Sequence, residues 1–205
     1  TWIVVPDADL PLFAKFERPH RQTLGESLFA QFLVTEPVGG LRAGYANQEI
    51  VKLAFWELGL VDNYFTVDSD AVFVRDFDQS DLMFDDATPY TVLVGDNDLK
   101  VDPDYFSRYW TTREASLRVI QAEIGFDDPR LLTCHGHQIM SAEVLRSLRD
   151  EFMQPRGWTY RDLLAVSPYE FSWYNMWLQY RECIPIYARE PLIKVLHSAE
   201  EHLHY

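Results

Sequence analysis

The chain of 205 residues is 47% hydrophobic and 24% charged, which is the composition of a globular protein with one well-buried core. Its formal net charge of −14 argues against a nucleic-acid-binding protein, because such a protein presents a basic face. The two cysteines lack the spacing of a redox or zinc motif, so a reducing, cytoplasmic compartment is expected. No apolar run approaches the roughly 20 residues that cross a bilayer, so no transmembrane segment is expected.

Apolar periodicity and turn residues predict strands that alternate with helices. The predicted order is strand 2–5, helix 9–16, strand 29–34, helix 46–60, strand 64–67, strand 90–94, helix 102–124, helix 142–153, helices 158–166 and 171–181, and strand 184–187. Gly59 is the expected stop of the helix 46–60, and Ser141 is the expected N-cap of the helix 142–153. The alternation predicts one α/β domain over residues 1–205, with a mixed, mainly parallel sheet flanked by helices.

Asp68 and Asp70 follow the apolar strand 64–67, with one residue between them. The carboxyl ends of strands are where α/β folds bind ligands, and carboxylate oxygens are the ligands that Mg²⁺ and Mn²⁺ prefer. The pattern therefore predicts a divalent-metal site. The alternative is a turn with solvated aspartates, which are common after strands.

A glycine-containing loop precedes the helix that carries Gln48 and Lys52. Gly39, Gly40 and Gly44 make this loop flexible, and a helix N-terminus can offer backbone N–H groups to an anion. Lys52 adds a point charge, which an acidic protein needs wherever it handles phosphates. The alternative is a surface lysine on an amphipathic helix.

Three histidines are candidate ligands. His135 and His137 are two residues apart in an extended segment, so their side chains lie on the same side, where they could bind a metal or contact a sugar. His197 ends a strand-like run near the C-terminus and could complete a metal site begun by Asp68 and Asp70. The alternative for each is a structural histidine.

Glu170 lies among aromatic residues, an environment expected to raise its pKa toward the value that a general base requires. The rings of Trp173 and Tyr174 are candidates for stacking on the apolar face of a sugar. The alternatives are a helix start, where the helix dipole favours Glu170, and an aromatic-rich core.

In this order, these segments resemble GT-A-type nucleotide-diphospho-sugar transferases, and most nearly a bacterial glycosyltransferase-like family of unassigned specificity with that fold. The resemblance rests on segments 48–52, 64–70, 134–140, 169–174 and 194–197. It implies a GT-A-like, Rossmann-like fold. The run 2–5 corresponds to the second strand of such a fold, so the chain is expected to lack its natural N-terminal segment.

The resemblance also implies roles for individual residues. Asp68 and Asp70 would hold Mn²⁺ or Mg²⁺, which bridges the donor diphosphate, and His197 would complete the coordination. Glu170 would deprotonate the acceptor hydroxyl in an inverting reaction, or stabilise the reacting sugar in a retaining one. The expected donor-binding residues are Gln48, Lys52, Asp68 and Lys194, and the expected acceptor- or sugar-binding residues are His135, His137, Trp173 and Tyr174.

The expected activity is therefore transfer of a sugar from a nucleoside-diphosphate sugar to an unidentified glycan or small-molecule acceptor. One rival is a haloacid-dehalogenase-like phosphatase, in which Asp68 would be the nucleophile. That family places its motif near the N-terminus, whereas Asp68 lies a third of the way along this chain. The other rival is a non-catalytic carbohydrate-binding domain, which the aromatic content of 15% also suits.

Overall fold

Short strands and helices alternate along the chain in the computed structural model, which describes residues 1–69, 71–94, 100, 103–134 and 136–193. The strands are β1 (Trp2–Val5), β2 (Gln22–Gly25), β3 (Asn63–Val67), β4 (Tyr90–Val92), β5 (His137–Ser141) and β6 (Tyr187–Arg189). The helices are α1 (Leu10–Phe13), α2 (Ala43–Ala54), α3 (Gln79–Leu82), α4 (Pro103–Ile124), α5 (Ala142–Ser147), α6 (Tyr160–Val166) and α7 (Glu170–Arg181). Further helical segments are the 3₁₀ segments Asp7–Asp9, Ala14–Phe16, Glu26–Phe29, Phe55–Leu58 and Gln154–Arg156, and the π-helix Leu148–Met153. The α/β class predicted from the sequence is confirmed.

The described strands form three pairs. β1 runs parallel to β2, β3 antiparallel to β5, and β4 parallel to β6. Gln138 on β5 connects the second and third pairs, since its side chain accepts a hydrogen bond from Val92 N and donates one to Val92 O, each at 3.2 Å. Its amide thus replaces the two backbone bonds that a neighbouring strand would make. The sequence predicts one mainly parallel sheet, whereas the described strands form these three separate pairs.

The second strand lies earlier in the chain than predicted. The run 29–34 has no strand, and the 3₁₀ segment Glu26–Phe29 leads into it. The Phe29 side chain is fully buried, with its ring centroid 6.5 Å from that of Phe55. The more polar segment Gln22–Gly25 forms the strand instead, because it pairs in parallel with β1. The apolar run supplies packing instead of a hydrogen-bonded ladder.

Glycines fix both ends of the segment that contains α2. Gly39 and Gly40 have φ angles of 57° and 82°, and the flanking Val38 and Leu41 exchange backbone hydrogen bonds of 2.9 and 2.8 Å. Positive φ at both central residues is typical of a type I′ turn, which glycine adopts without steric cost. Gly59, with a φ of 65°, ends the 3₁₀ segment after α2, as predicted.

A partly buried network anchors the C-terminal end of this helical segment to α6 and the π-helix. Tyr160 donates a hydrogen bond of 2.6 Å to Glu57 and accepts one of 3.2 Å from the Trp56 indole. Arg149 pairs with Glu57 at 3.2 Å and lies 4.6 Å from the centroid of the Trp56 ring. Burial, together with the hydrogen bond to Glu57, raises the pKa of Tyr160 above its ordinary value. The network holds the orientation of α2 relative to the core.

Helix α7 runs through the core and is buried on all sides over most of its length. Its buried apolar residues are Phe171, Trp173, Tyr174, Met176, Trp177 and Leu178. A helix that is buried on every face belongs to the centre of a domain, not to its surface. Its first residue, Glu170, and its Asn175 are also buried, and Asn175 accepts a 2.7 Å hydrogen bond from Gln138. The helix therefore carries polar groups into the interior.

Helix α4 is the longest of the described helices, with 22 residues, and it confirms the helix predicted at 102–124. It packs against α7 and carries charged residues along its length. Among the described residues, every helix is too short or too polar to cross a lipid bilayer.

An exposed apolar loop follows the strand that ends before Asp68. The side chains of Val72, Phe73 and Val74 lie largely in solvent, and the Phe73 ring stacks on that of Phe77 with centroids 5.1 Å apart. The loop ends at Asp78, which caps α3 by accepting a hydrogen bond of 2.8 Å from Ser80 N.

Candidate active site around Lys52

Polar side chains from three elements meet around Lys52. Tyr45, Gln48, Glu49 and Lys52 are spaced three and four residues apart on α2, so they lie on one face of the helix. Asp68 comes directly after β3, and Glu170 is the first residue of α7. We refer to these side chains as the Lys52 cluster, which consists of Tyr45, Gln48, Glu49, Lys52, Asp68 and Glu170.

The Lys52 ammonium group is the centre of the cluster. Its Nζ donates to Asp68 Oδ1 at 2.7 Å and to Glu170 Oε1 at 2.8 Å, and lies 4.0 Å from Glu49 Oε2. Gln48 Nε2 also donates to Asp68 Oδ1, at 3.3 Å. The side chains of Lys52 and Glu170 are only 10% and 7% exposed, so solvent screens this ion pair weakly. The cluster is a partly buried charge network, not a solvated surface pair.

Glu49 and Glu170 lie close enough to interact as a pair of buried carboxyl groups. Burial and the hydrogen bond with Glu170 raise the pKa of Glu49 to about 10. Burial alone would raise the pKa of Glu170, but its hydrogen bond with Glu49 and its contact with Lys52 outweigh burial and lower it. At neutral pH Glu49 is therefore a neutral acid and Glu170 a carboxylate, since two adjacent buried carboxyl groups do not both ionise readily.

The other titratable members of the cluster follow the same electrostatics. Burial alone would lower the pKa of Lys52, but the surrounding carboxyl groups, with Glu170 foremost, raise it above its ordinary value. Burial, followed by the charges of nearby carboxyl groups, raises the pKa of Tyr45 to about 12. Lys52 is accordingly cationic and Tyr45 a neutral phenol at neutral pH.

The expected pKa shift of Glu170 has the wrong sign. Its aromatic neighbours predict a raised pKa, but the hydrogen bond with Glu49 and the ion pair with Lys52, which is 118 residues away in sequence, lower it. The same ammonium lies 5.0 Å from the centroid of the Phe171 ring. The aromatic environment thus holds an ion pair and not an isolated carboxyl group.

The structure brings together four of the residues selected from the sequence: Gln48, Lys52, Asp68 and Glu170. Sequence reasoning did not select Glu49 or Tyr45. Their signal was the spacing of three and four residues that places them on the helical face of Gln48 and Lys52. The selected residues Asp70, His135, Lys194 and His197 lie outside the described residues.

The glycine-containing loop and Lys52 do not form one anion site. α2 begins at Ala43, earlier than predicted, so Lys52 lies in its last turn and Gly44 in its first. Lys52 is nine residue steps along the helix from Ala43, or about 14 Å at 1.5 Å per residue. Gly39 instead packs its backbone against Leu164 of α6. The loop anchors α2, while Lys52 binds carboxylates.

Three residues expected to contact sugar lie in the interior. Trp173 and Tyr174 are fully buried; the Trp173 indole donates to Leu163 O at 3.1 Å, and the Tyr174 hydroxyl accepts from Ser141 N at 3.0 Å. Neither ring presents a face to a ligand, so the structure assigns both to the core instead of to sugar stacking. His137 is also fully buried, and its Nε2 accepts a hydrogen bond of 3.1 Å from Leu192 N.

Asp68 is the member of the cluster with an oxygen suited to a metal ion. Its Oδ1 accepts hydrogen bonds from both Lys52 and Gln48, whereas its Oδ2 has no hydrogen-bond partner among the described residues. The Asp68 side chain is 39% exposed. Hydrogen bonds of this kind fix the orientation of a carboxylate, as they do for carboxylates that bind metal ions. The described part of the chain groups no three His, Cys, Asp or Glu side chains for metal binding. Asp70 and His197, the other two predicted ligands, are not in that part.

A cavity of about 890 Å³ opens at the other end of β3. It lies beside Asn63, the first residue of the strand, and Ser141, its pairing partner at the end of β5. Tyr64 and Phe65 of the same strand also line it. The residues that line the cavity include no member of the Lys52 cluster, so the two sites are separate.

The Lys52 cluster thus lies where the end of β3 meets the start of α7. A family model matches residues 1–201, and it is described as a family of unknown function (DUF6492). The chain belongs to this family. No curated protein and no solved structure matches it significantly.

Proposed function

We propose that this protein is a metal-dependent glycosyltransferase that moves a sugar from a nucleoside-diphosphate sugar to a glycan or small-molecule acceptor. The observation that carries the proposal is the state of Asp68. Its carboxylate follows the carboxyl end of β3, Lys52 and Gln48 bind one of its oxygens, and the other oxygen is open. This end of a strand is the usual place for ligands in α/β folds.

The charge balance of the cluster supports a requirement for a cation. With Glu49 neutral, the single charge of Lys52 faces two carboxylates, Asp68 and Glu170, which leaves a net negative site. A diphosphate would be repelled there unless a divalent ion neutralised it. Asp68, with Asp70 and His197, would hold Mn²⁺ or Mg²⁺, which prefer one or two carboxylates together with phosphate oxygens. When bound, the ion supplies Lewis-acid stabilisation of the leaving diphosphate.

The path of the chain supports the inclusion of Lys194 and His197. Leu192 N is hydrogen-bonded to His137, and His137 pairs with Val67, the residue before Asp68. Five residues of extended chain span at most about 17 Å, so the chain from Leu192 is long enough for His197 to reach this strand end. In the proposal, Lys194 binds the diphosphate, and Lys52 and Gln48 orient the Asp68 carboxylate.

The state of Glu170 favours one of the two roles left open by the sequence. A carboxylate that is paired with Lys52 and has a lowered pKa is a weak base, because efficient base catalysis needs a pKa near the operating pH. Its fixed negative charge is better suited to stabilising positive charge on the reacting sugar. We therefore assign Glu170 this electrostatic role in the proposed reaction.

Thermal denaturation tests the proposal. The protein is titrated with UDP-glucose, GDP-mannose and CDP-glucose, each with and without MnCl₂. One of them should raise the Tm only when Mn²⁺ is present, since a ligand of the folded state stabilises it by about 2.7 kcal/mol at 100 times its Kd. If no nucleotide sugar raises the Tm in a metal-dependent way, the proposal is wrong.

Two variants show whether the expected metal-dependent rise in Tm involves Asp68. Asp68→Asn should abolish it, whereas Asp127→Asn should retain it, because Asp127 is an exposed aspartate beyond the C-terminal end of α4. A phosphatase would instead hydrolyse a simple phosphate ester and form a trapped aspartyl-phosphate. A carbohydrate-binding domain would bind free sugar despite EDTA and the Asp68 substitution.

A further inference from the structure

Glu49 is a buried carboxyl group to which the proposed reaction gives no role. Its side chain is 2% exposed, and its Oε2 has no hydrogen-bond donor among the described residues. Lys52 Nζ is 4.0 Å from that oxygen, beyond a normal hydrogen bond, whereas it contacts Asp68 and Glu170 at 2.7 and 2.8 Å. A polar group buried in this way is costly unless it has a partner.

The groups around Glu49 determine in which protonation state its carboxyl group has a hydrogen-bond partner. Tyr45 and Lys52 face it from its own helix, Asp68 from the end of β3, and Glu170 from the start of α7. As a carboxylate, Glu49 would add a third negative charge around one ammonium group. As a neutral acid, it has an O–H to donate, and the acceptor is the Glu170 carboxylate, whose Oε1 lies 2.8 Å from the Lys52 Nζ that is 4.0 Å from Glu49 Oε2.

We propose that Glu49 is a positioning residue of the site, which as a neutral acid donates a hydrogen bond to the Glu170 carboxylate and holds it against Lys52. Glu170 then has two fixed donors, the Glu49 acid and the Lys52 ammonium group. Preorganised partners of this kind fix both the direction and the charge of a reacting group. The consequence for catalysis rests on the proposed glycosyltransferase function, but the position of the proton does not.

The first arm of the test measures the proton without using activity. The unfolding equilibrium is measured for wild type and Glu49→Gln between pH 5.5 and 8.5, with Glu151→Gln as a surface control. Folded Glu49 keeps a proton that the unfolded chain loses near pH 4.5, so wild type should lose stability as pH rises through this range. Relative to Glu49→Gln, its unfolding constant should increase up to about tenfold per pH unit. If the two proteins have the same pH dependence, Glu49 holds no extra proton and the inference is wrong.

The second arm measures positioning by the hydrolysis of a nucleotide sugar without acceptor. Glu49→Gln retains a neutral donor and should keep kcat within about threefold, while Glu49→Leu should lose about 10- to 100-fold in kcat with little change in KM, by analogy with residues that orient metal ligands. Full kcat in Glu49→Leu would overturn the positioning role. If Glu49→Leu does not fold, a kcat for Glu49→Gln that falls more than tenfold overturns it instead.

If the first arm succeeds but wild type shows no metal-dependent binding or hydrolysis of nucleotide sugars, the proposed function fails and the buried proton stands.

Discussion

Replacement of Lys52 by methionine is expected to lower the free energy of unfolding by about 3–5 kcal/mol at pH 8, because it leaves the buried negative charge of Glu170 without a cation. Methionine preserves most of the aliphatic stem, so the effect reports the lost ammonium group and not a cavity. Glu170, at 7% exposure, loses its close cation, and Asp68 loses the shorter of its two hydrogen bonds. Chemical denaturation, monitored by the fluorescence of the six tryptophans, measures the change.

The cost should be smaller at pH 5. Without Lys52, only the hydrogen bond with Glu49 opposes the effect of burial, so the pKa of Glu170 should be higher than in the wild type and its charge more easily neutralised in acid. A folded-state pKa that is higher in the variant than in the wild type means that the variant loses more stability as pH rises, so the difference between the two proteins should be largest in alkali. Lys52→Met with Glu170→Gln should recover more than half of the loss at pH 8.

Lys15→Met is the matched control for Lys52→Met. Lys15 Nζ lies 5.0 Å from the centroid of the Phe16 ring, the same distance that separates Lys52 from the ring of Phe171, but Lys15 is exposed. Its replacement should change stability by no more than about 0.5 kcal/mol. Equal effects of the two substitutions would show that the Lys52 charge network contributes nothing to stability.

Gly39→Ala is expected to lower the free energy of unfolding by about 2–5 kcal/mol, while Gly40→Ala next to it lowers it by only about 1–2 kcal/mol. Both glycines have positive φ, which costs a residue with a Cβ about 1–2 kcal/mol. At Gly39 a Cβ would also lie 2.0 Å from the carbonyl oxygen of Leu164, whereas at Gly40 nothing lies within 4 Å. The obstacle is backbone of α6, which cannot rotate away as a side chain can.

Denaturant midpoints of the two alanine variants, measured with equal m-values, test this difference. The pair shares the strain of the turn, so the difference between them isolates the contact of the turn with α6. A Gly40→Ala variant as unstable as Gly39→Ala would mean that turn strain alone accounts for the cost. Gly39→Ala should also weaken any ligand binding at the Lys52 cluster, because the turn positions α2.

Local sequence patterns predicted the elements whose formation depends on local signals. The helix at Pro103–Ile124, the strand ending at Val67 and the stop at Gly59 each have a period or a turn residue within the segment itself. β2 was missed, since Gln22–Gly25 has no strong strand pattern and becomes a strand through its pairing with β1. The apolar run after Glu26–Phe29 was assigned to a strand because burial and strand formation give the same signal in a short segment.

The candidate site shows the same division. Asp68 could be selected because two aspartates after an apolar strand form a local pattern, and Lys52 because of its helix. The importance of Glu49 depends on α7, whose Glu170 is 118 residues beyond Lys52 in the sequence. A local sequence pattern does not reveal a contact between residues so far apart. Trp173 and Tyr174 were misassigned for a related reason: the residue type alone does not distinguish a ring that fills the core from one that binds a ligand.

The long sequence separation between Lys52 and Glu170 also sets an order of events when the protein is made. At 5–20 residues per second, a ribosome takes about 6–24 s to add the 118 residues from Lys52 to Glu170. Throughout that interval the face of α2 that carries Glu49 has no α7 to cover it, and water solvates its carboxyl group, which is then ionised at neutral pH. The proton that we infer on Glu49 in the folded protein is therefore taken up when α7 docks. Closure of the core and protonation of Glu49 are thus a single late step in folding.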